Sequence, residues 1–389
     1  MKVLVFTTQF YRLGSAEGLQ LDLAQRLNAR DIRVDVLSLY RHDLPGVPEA
    51  TEALKIRGVP RIGFLGLVPH PSMPSLLMAA WRLRRLVARE GYDIVETSGP
   101  TPTALAILAL QGTKARHVAG IHQVFRTDRD RNSNLRALRH IARLDWRSRY
   151  YAVSRAAADG WTGFANVAAR RILVVYNGVA DQFFGATTDR DRMRESLGIP
   201  PNARMALYVG RLAKYKGIAT ILEALLPILK ERNLVLCYAG EVDSDVPGSA
   251  EEVRALKATV ERAGLSKRVR WLGHRTDVNQ ILRSADVLVH PTSVESFGLV
   301  LVEALAAGVP IVSSDVEGIP EVLAGTESMM VRPGDAIALR EAVEVTLARP
   351  REDQLRAERL GIARAEAFRA DRRVDEMLRL FQDAQAGIF

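Results

Sequence analysis

Cysteine is nearly absent: Cys237 is the only one in 389 residues. A single thiol cannot close a disulfide within the chain, so a reducing compartment, the cytoplasm, is expected. Cys237 lies in the apolar run 234–239 and reads as inert strand packing rather than a nucleophile. Long hydrophobic runs are also missing. No stretch reaches the roughly 20 uncharged apolar residues of a membrane span. The opening MKVLVFTTQF is too short for a signal peptide and reads as a first buried strand. There is no internal repeat and no low-complexity segment. Nor does a Gly-x-Gly-x-x-Gly fingerprint follow that first strand, which weakens a dinucleotide-dehydrogenase reading.

Acidic charge is scarce in one half only. Residues 1–185 carry 26 Lys+Arg against 15 Asp+Glu, so they hold +11 while the net charge of the whole chain is +9. The positive field therefore sits on the N-terminal half and favours an anionic partner there. Nucleic acid, a phosphorylated glycan and an anionic membrane surface all fit; arginine enrichment of the genome is the plainer source. Two stretches concentrate the charge. Residues 126–149 hold eight arginines against Asp128, Asp130 and Asp145, with Leu135, Leu138, Ile141 and Trp146 as an apolar stripe. Residues 76–89 set Leu77, Trp81 and Leu86 beside Arg82, Arg84, Arg85 and Arg89. Such helices can lie on anionic membranes. The alternative is a crossover helix with its apolar face on a sheet and its charges in water.

Short apolar runs alternate with amphipathic segments, which argues for parallel sheets with crossover helices. Strands are predicted at 2–7, 33–38, 93–97, 116–121, 149–153 and 171–176, then at 205–209, 234–239, 268–272, 287–290 and 310–313. Helices are predicted at 16–30, 217–230, 296–307 and 370–384. The polar stretch FFGATTDRDR and the turn cluster GIPPN suggest a domain boundary within 181–201. We expect one lobe over 1–185, a second over 186–369, and a last helix in 370–389 returning to the first lobe.

The second lobe carries the chemistry. Its first strand ends at Gly210, and Arg211 and Lys216 follow it before a helix. Open α/β sheets bind ligands just past the C-terminal ends of their strands. Two cations there suit a diphosphate, although solvated basic residues in a βα loop are as common. Next comes His290-Pro-Thr-Ser-Val-Glu295-Ser-Phe-Gly298-Leu-Val-Leu-Val-Glu303. Ser296 is expected to cap a helix there, and the amides of Phe297, Gly298 and Leu299 would face an anion. Glu303 stands alone in an apolar run, where a carboxylate is costly unless it meets donors. Ribose hydroxyls would supply them; a core Glu satisfied by backbone is the bland reading. The segment Asp315-Val-Glu317-Gly318-Ile-Pro320-Glu321 would wall the same pocket.

Gly210-Arg211 with Lys216-Gly217, the Glu-seven-residues-Glu pair and the Gly-x-Pro-Glu loop, in this order and spacing, resemble the retaining glycosyltransferases of family 4. That resemblance implies the GT-B fold: two Rossmann-like lobes whose parallel sheets face a central cleft. It implies a nucleotide-sugar donor, UDP-linked before GDP-mannose, and a glycan, lipid-linked or small-molecule acceptor. It implies no cofactor, no metal and no nucleic acid. Arg211 and Lys216 would hold the diphosphate, Glu303 the ribose, and Glu295 the transferred sugar. Gly273-His274-Arg275 resembles the segment framing the base. Gly14, in Gly14-Ser-Ala-Glu17, resembles the family's Gly-rich loop facing the donor. His122, at the end of strand 116–121, matches a histidine near the reacting sugar; a structural role is the ordinary reading of that position.

Two departures matter. Glu317 stands where the family often has the first glycine of a pair, and Glu-Val-Asp follows Gly240 where a second glycine is common. Asp128-Arg-Asp130, Asp189-Arg-Asp191 and Asp243-Ser-Asp245 imitate a metal-binding Asp-x-Asp but fall in polar, loop-like stretches. The expected catalysis is charge stabilisation of a departing diphosphate by Arg211, Lys216 and helix amides. A nucleotide-sugar epimerase or a phosphorylase on the same fold, and a basic nucleic-acid-binding protein, are the alternatives. A peripheral contact of the basic lobe with an anionic membrane is a further expectation.

Overall fold

The computed structural model describes residues 1–9, 16–44, 46–56, 58–126, 133–185 and 188–388. Gly14, Asp128 and Asp130 lie outside the described residues. Runs rich in Val, Ile and Leu form strands covered on both faces, as parallel sheets require. The first sheet contains β1 (Lys2–Thr7), β2 (Arg33–Tyr40), β3 (Ile62–Leu67), β4 (Ile94–Ser98), β5 (Arg116–Ile121), β6 (Arg149–Ala152) and β7 (Ile172–Val174). Its order is β3-β2-β1-β4-β5-β6-β7, all parallel. The second contains β8 (Arg204–Val209), β9 (Leu234–Ala239), β10 (Val269–Gly273), β11 (Val287–His290), β12 (Ile311–Ser314) and β13 (Met329–Val331). Its order is β10-β9-β8-β11-β12-β13, again parallel. In both sheets the order reverses beside the first strand. Crossover helices on the two sides of that point leave for opposite faces and open a crevice at the strand ends. For the second sheet, the crevice lies past β8 and β11.

The chain divides into two compact units, Met1–Asn177 with Asp371–Phe389, and Gly178–Ala370. Residues 178–185 thus belong to the second unit, because local contacts hold them there. Val179 bridges Arg369, Arg369 pairs with Asp181 at 2.8 Å, and Arg283 donates to the Phe183 carbonyl at 2.6 Å. Gly178 has no room for a side chain: a Cβ would stand 2.5 Å from Ala370 Cα. The last helix, Ala370–Ala386, sends Val374, Met377, Leu380 and Phe381 into the core of the first unit beside Val3, Val5 and Val34. Arg26 reaches Asp371 at 3.1 Å, and Arg30 pairs with Asp375.

Cys237 sits fully buried in β9, opposite Leu207, and burial pushes its thiol up to about 12. It is inert packing. Helix Met73–Glu90 covers the sheet with residues other than Leu77 and Trp81. Its sheet-facing stripe is Ala79, Leu83 and Val87, four residues apart, whereas Leu77 and Trp81 face solvent at 61% and 54% exposure. The neighbouring basic helix, Ser133–Leu144, takes the plain arrangement: Leu135, Leu138 and Ala142 are buried. Trp146, placed on the same stripe by the sequence, is exposed beyond the helix end. No helix among the described residues is long and apolar enough to cross a membrane.

Candidate active site

The loops after β8 and β11 are pressed together by a glycine. Gly217 takes φ +71, and a Cβ there would stand 2.2 Å from the Pro291 carbonyl oxygen. Only glycine combines a left-handed backbone with so close an approach. Ser293 N–H donates to the Tyr215 carbonyl at 2.8 Å, tying the loops again. This register delivers Lys216 Nζ to within 2.6 Å of Glu295 Oε2, both side chains largely buried. His290 Nε2 lies 3.4 Å from the same oxygen. Burial pushes the Glu295 carboxyl up, but Lys216 and the His290 hydrogen bond overcome it and hold the group well below the usual carboxylate range. Burial also lowers His290, so its neutral ring donates Nε2–H to the carboxylate.

Past Glu295, the backbone turns into helix Leu299–Ala306 through Gly298 at φ +84. Gly298 itself occupies the cap position, without a side-chain bond; Ser296 does not cap the helix as expected, because the helix starts three residues later. The amides of Leu299 and Val300 have no intrahelical acceptor and point out of the positive helix end. Phe297 turns its ring into the core, edge-on to Phe368 at 5.5 Å, so only its backbone is available to a ligand. Glu303 follows one turn later. Its carboxylate makes no hydrogen bond or ion pair among the described residues, and burial pushes it up to about 7.

The loop after β12 clamps Glu295 from a third side. Glu317 Oε2 accepts the Glu295 N–H at 2.9 Å, and Gly318 N–H donates to the Glu295 carbonyl at 3.1 Å. A Cβ on Gly318 would stand 2.0 Å from the Ser296 carbonyl oxygen. Arg211, by contrast, does not join Lys216. Its guanidinium binds Asp243 at 2.5 Å and the Tyr215 hydroxyl at 2.6 Å, and it is 55% exposed. Gly273, the last residue of β10, takes φ +64, His274 is exposed, and Arg275 is chelated by Asp277 at 2.9 and 2.7 Å. None of these three touches Lys216, Glu295 or Glu303 among the contacts described.

In the first unit, His122 follows β5. Gln20 Nε2 lies 2.9 Å from His122 Nε2 and donates to Tyr151 Oη at 2.6 Å; Tyr151 in turn donates to Glu96 at 2.8 Å. Arg373, from the last helix, donates to the Leu19 carbonyl at 2.8 Å and approaches Gln20 Oε1 at 3.5 Å. The Gln20 amide is a donor, so His122 Nε2 accepts and the ring proton sits on Nδ1. Burial, then Arg373, lowers His122 to about 3, and burial raises Glu96 to about 7. Gly120 makes the network possible, since a Cβ would stand 2.4 Å from Tyr151 Oη and 2.7 Å from His122 Nε2. Sequence reasoning missed Gln20, Tyr151, Glu96 and Arg373 as neighbours of His122. The one available signal was Glu96, a carboxylate inside the apolar strand IVETS.

The profile of the family described as Glycosyl transferases group 1 matches residues 189–363, and that of Glycosyltransferase Family 4 matches residues 17–183. Together they span most of the chain. The chain belongs to the group 1 glycosyltransferases.

Among relatives of this group 1 family member is D-inositol 3-phosphate glycosyltransferase of Corynebacterium efficiens. It is 30% identical over 221 residues, 55% of this chain and 51% of that protein. Alpha-maltose-1-phosphate synthase of Mycobacterium tuberculosis is 38% identical over 177 residues, 43% of each chain. The chain spans about half the length of these curated relatives. A solved structure of Anabaena HepE in complex with UDP shares the fold, with a TM-score of 0.82 at 20% identity, covering 98% of this chain and 100% of that one. Both sheets follow the order expected of the family's Rossmann-like lobes. Among the described residues no group of three His, Cys, Asp or Glu is placed to hold a metal ion. Asp243 instead holds Arg211, and Asp189 caps helix Arg190–Ser196 by accepting the Arg192 amide at 3.0 Å.

The unpartnered Glu303 has a measurable signature. Its folded value near 7 exceeds the unfolded value of 4.5, so the native state keeps a proton that the unfolded chain has lost. Its contribution is full below pH 4.5 and is lost as pH rises toward 7. Glu303→Gln is expected to flatten part of the fall in melting temperature between pH 5 and 7.5, read by thermal denaturation of both proteins. Equal slopes would place the ionised form in a solvated setting.

Proposed function

We propose that this chain is a retaining glycosyltransferase that moves a hexose from a UDP-sugar to a glycan, lipid-linked or small-molecule acceptor. The observation that carries the reading is the Lys216–Glu295 pair at the sheet's switch point, one helical turn from a carboxylate without a partner. Lys216 and the amides before Val300 meet the charge that grows on the departing diphosphate, which is electrostatic stabilisation in a largely dry site. Arg211 adds to it by leaving Asp243 for phosphate. Glu303 grips the ribose hydroxyls, and Glu295, fixed by Lys216, takes hydroxyls of the transferred sugar. The base lies along Gly273–Arg275.

His122 is too weak a base, at about 3, to take the acceptor proton. It orients the sugar or acceptor, and the leaving phosphate oxygen accepts the proton. No cofactor or metal takes part in this reading, and EDTA is expected to leave turnover unchanged. The basic first unit suits a phosphorylated acceptor, in keeping with the phosphate in the names of both relatives. We place the enzyme in the cytoplasm, with Met73, Leu77, Met78 and Trp81 of one exposed helix face, and Arg85 lying 5.4 Å from the Trp81 ring, meeting anionic lipid.

One set of measurements tests the reading. UDP-hexose is expected to raise the melting temperature more than GDP- or dTDP-sugars, since ligand at 100 times Kd adds about 2.7 kcal/mol to the native state. The product anomer, read by NMR, should match that of the donor. An inverted anomer overturns retention. Donor isomerised without acceptor, or dependence on inorganic phosphate, points to the epimerase or the phosphorylase. The same assays with phosphatidylglycerol vesicles at low salt test the lipid contact.

A further inference from the structure

Two contacts converge on one oxygen of Glu295 and leave the other out. Lys216 Nζ stands 2.6 Å from Oε2, and His290 Nε2 stands 3.4 Å from the same atom. Oε1 makes no hydrogen bond among the described residues. Nor is it one of the buried atoms that lack a partner, so it belongs to the 16% of the side chain that solvent reaches. An ionised carboxylate oxygen of this kind has its lone pairs open to a hydroxyl of a ligand.

The two residues that hold Oε2 differ in kind. Lys216 lies in the loop after β8, and its ammonium is a point charge on a flexible stem. On the nucleotide-sugar reading a diphosphate makes a second demand on it. His290 is the last residue of β11, where pairing with β12 fixes the register: Ser313 lies opposite, and its hydroxyl donates to the His290 carbonyl at 2.9 Å. The His290 ring is buried and lies within 12° of parallel to the Tyr208 ring, centroids 6.2 Å apart. The Tyr208 hydroxyl is tied in turn to the Arg211 carbonyl at 2.7 Å. His290 Nδ1 is buried with no hydrogen-bond partner. A second ring proton there would be costly, so the neutral ring is favoured. The carboxylate only accepts, which puts the one ring proton on Nε2. A side chain locked on a strand end aims a group more exactly than a loop residue does. At 3.4 Å the bond to Oε2 is long, and such bonds commonly tighten once substrate is in place.

We propose that His290 is the positioning residue of Glu295: its Nε2–H holds Oε2, so that Oε1 stays turned to hydroxyls of the transferred sugar while Lys216 is drawn toward the diphosphate. This rests on the nucleotide-sugar reading of the same site. Three substitutions separate the donor from the packing. His290→Phe keeps the bulk of the ring and removes the donor. His290→Gln keeps an N–H near the reach of Nε2, and His290→Asn is one methylene shorter.

The experiment compares the full chain and the three variants by kcat and KM for UDP-glucose, and by calorimetric titration of UDP-glucose and of UDP, which carries no sugar. In His290→Phe and His290→Asn, kcat is expected to fall by about 10–100-fold, the scale of a slightly misplaced reacting group. Kd for UDP should stay within about threefold of wild type, because the diphosphate is held elsewhere. His290→Gln should turn over at least about fivefold faster than His290→Phe, since it restores a directed donor. A packing role alone would weaken UDP binding together with turnover and would leave Gln no better than Phe; either result overturns the proposal. So does a kcat within about threefold of wild type in both Phe and Asn variants, which leaves the donor reading intact. If neither UDP nor UDP-glucose binds any of the four proteins, the donor reading fails and takes the positioning role with it. Should His290→Phe not fold, the Asn and Gln variants carry the same comparison between them.

Discussion

Lys216→Met is expected to lower kcat/KM by about 10²–10³, the scale of losing one preorganised donor to a developing oxyanion. The side chain keeps its length and apolar stem, so the loss reports charge. Stability should fall as well. Glu295 would keep its largely buried carboxylate without the ammonium 2.6 Å away. Breaking a buried pair costs about 3–5 kcal/mol, and the partial exposure of this pair puts the expectation at the low end. The double variant Lys216→Met/Glu295→Gln separates the two effects. It should regain most of the lost stability, since no buried charge is left uncompensated, but none of the turnover. Acid sensitivity gives a further check. The Glu295 value is depressed, so its contribution is present above the unfolded pKa of 4.5 and is lost as pH falls below it. That acid limb should shrink in both variants. Turnover within threefold of wild type in Lys216→Met would remove Lys216 from the machinery.

Gly217→Ala is expected to lower the melting temperature of the second unit by about 5–10 °C, given roughly 2–4 °C per kcal/mol for a unit of this size. Two penalties add. Left-handed φ costs alanine about 1 kcal/mol or more. The added Cβ would also stand 2.2 Å from the Pro291 carbonyl oxygen, so the β8 loop must move off the β11 loop. That movement draws Lys216 from Glu295, and kcat/KM should fall with the stability. Gly264→Ala is the control: φ is +69 there too, but no atom lies within 4 Å of the added Cβ. It should cost the backbone term alone and leave turnover as it was. Similar losses of turnover in both variants would mean that loop contact is not what positions Lys216.

Much of the second unit was legible because its chemistry is local. The Glu295–Glu303 spacing, the glycines at 210, 217 and 298, and strands 234–239 and 287–290 all sit where the sequence placed them. What escaped was set by distant contacts. Strand β3 was missed because Gly63 and Gly66 interrupt its apolar run, and β13 because a three-residue edge strand leaves almost no periodicity. For helix Met73–Glu90 the sequence left open whether Leu77 and Trp81 pack on the sheet or face outward, and the structure turns them outward. Arg211 was expected on phosphate beside Lys216. Nothing in its neighbourhood in sequence announced Asp243, 32 positions away, as its partner. The Gln20–Tyr151–Glu96 network around His122 draws on three separate segments and a fourth from the last helix, a convergence that spacing along the chain cannot encode.

The return of residues 371–386 to the first unit fixes an order of maturation. During synthesis, β1 to β7 emerge before any of the second unit, yet their sheet lacks the side chains of Val374, Met377, Leu380 and Phe381 on one face. The second unit, 178–370, is complete while that face is still only partly covered. Val3, Val5 and Val34, packed with Leu21, Leu27 and Val47, therefore lack the rest of their core for the length of an entire domain. The later-made half can settle first, and the earlier-made half is the one that needs shelter from aggregation on the ribosome.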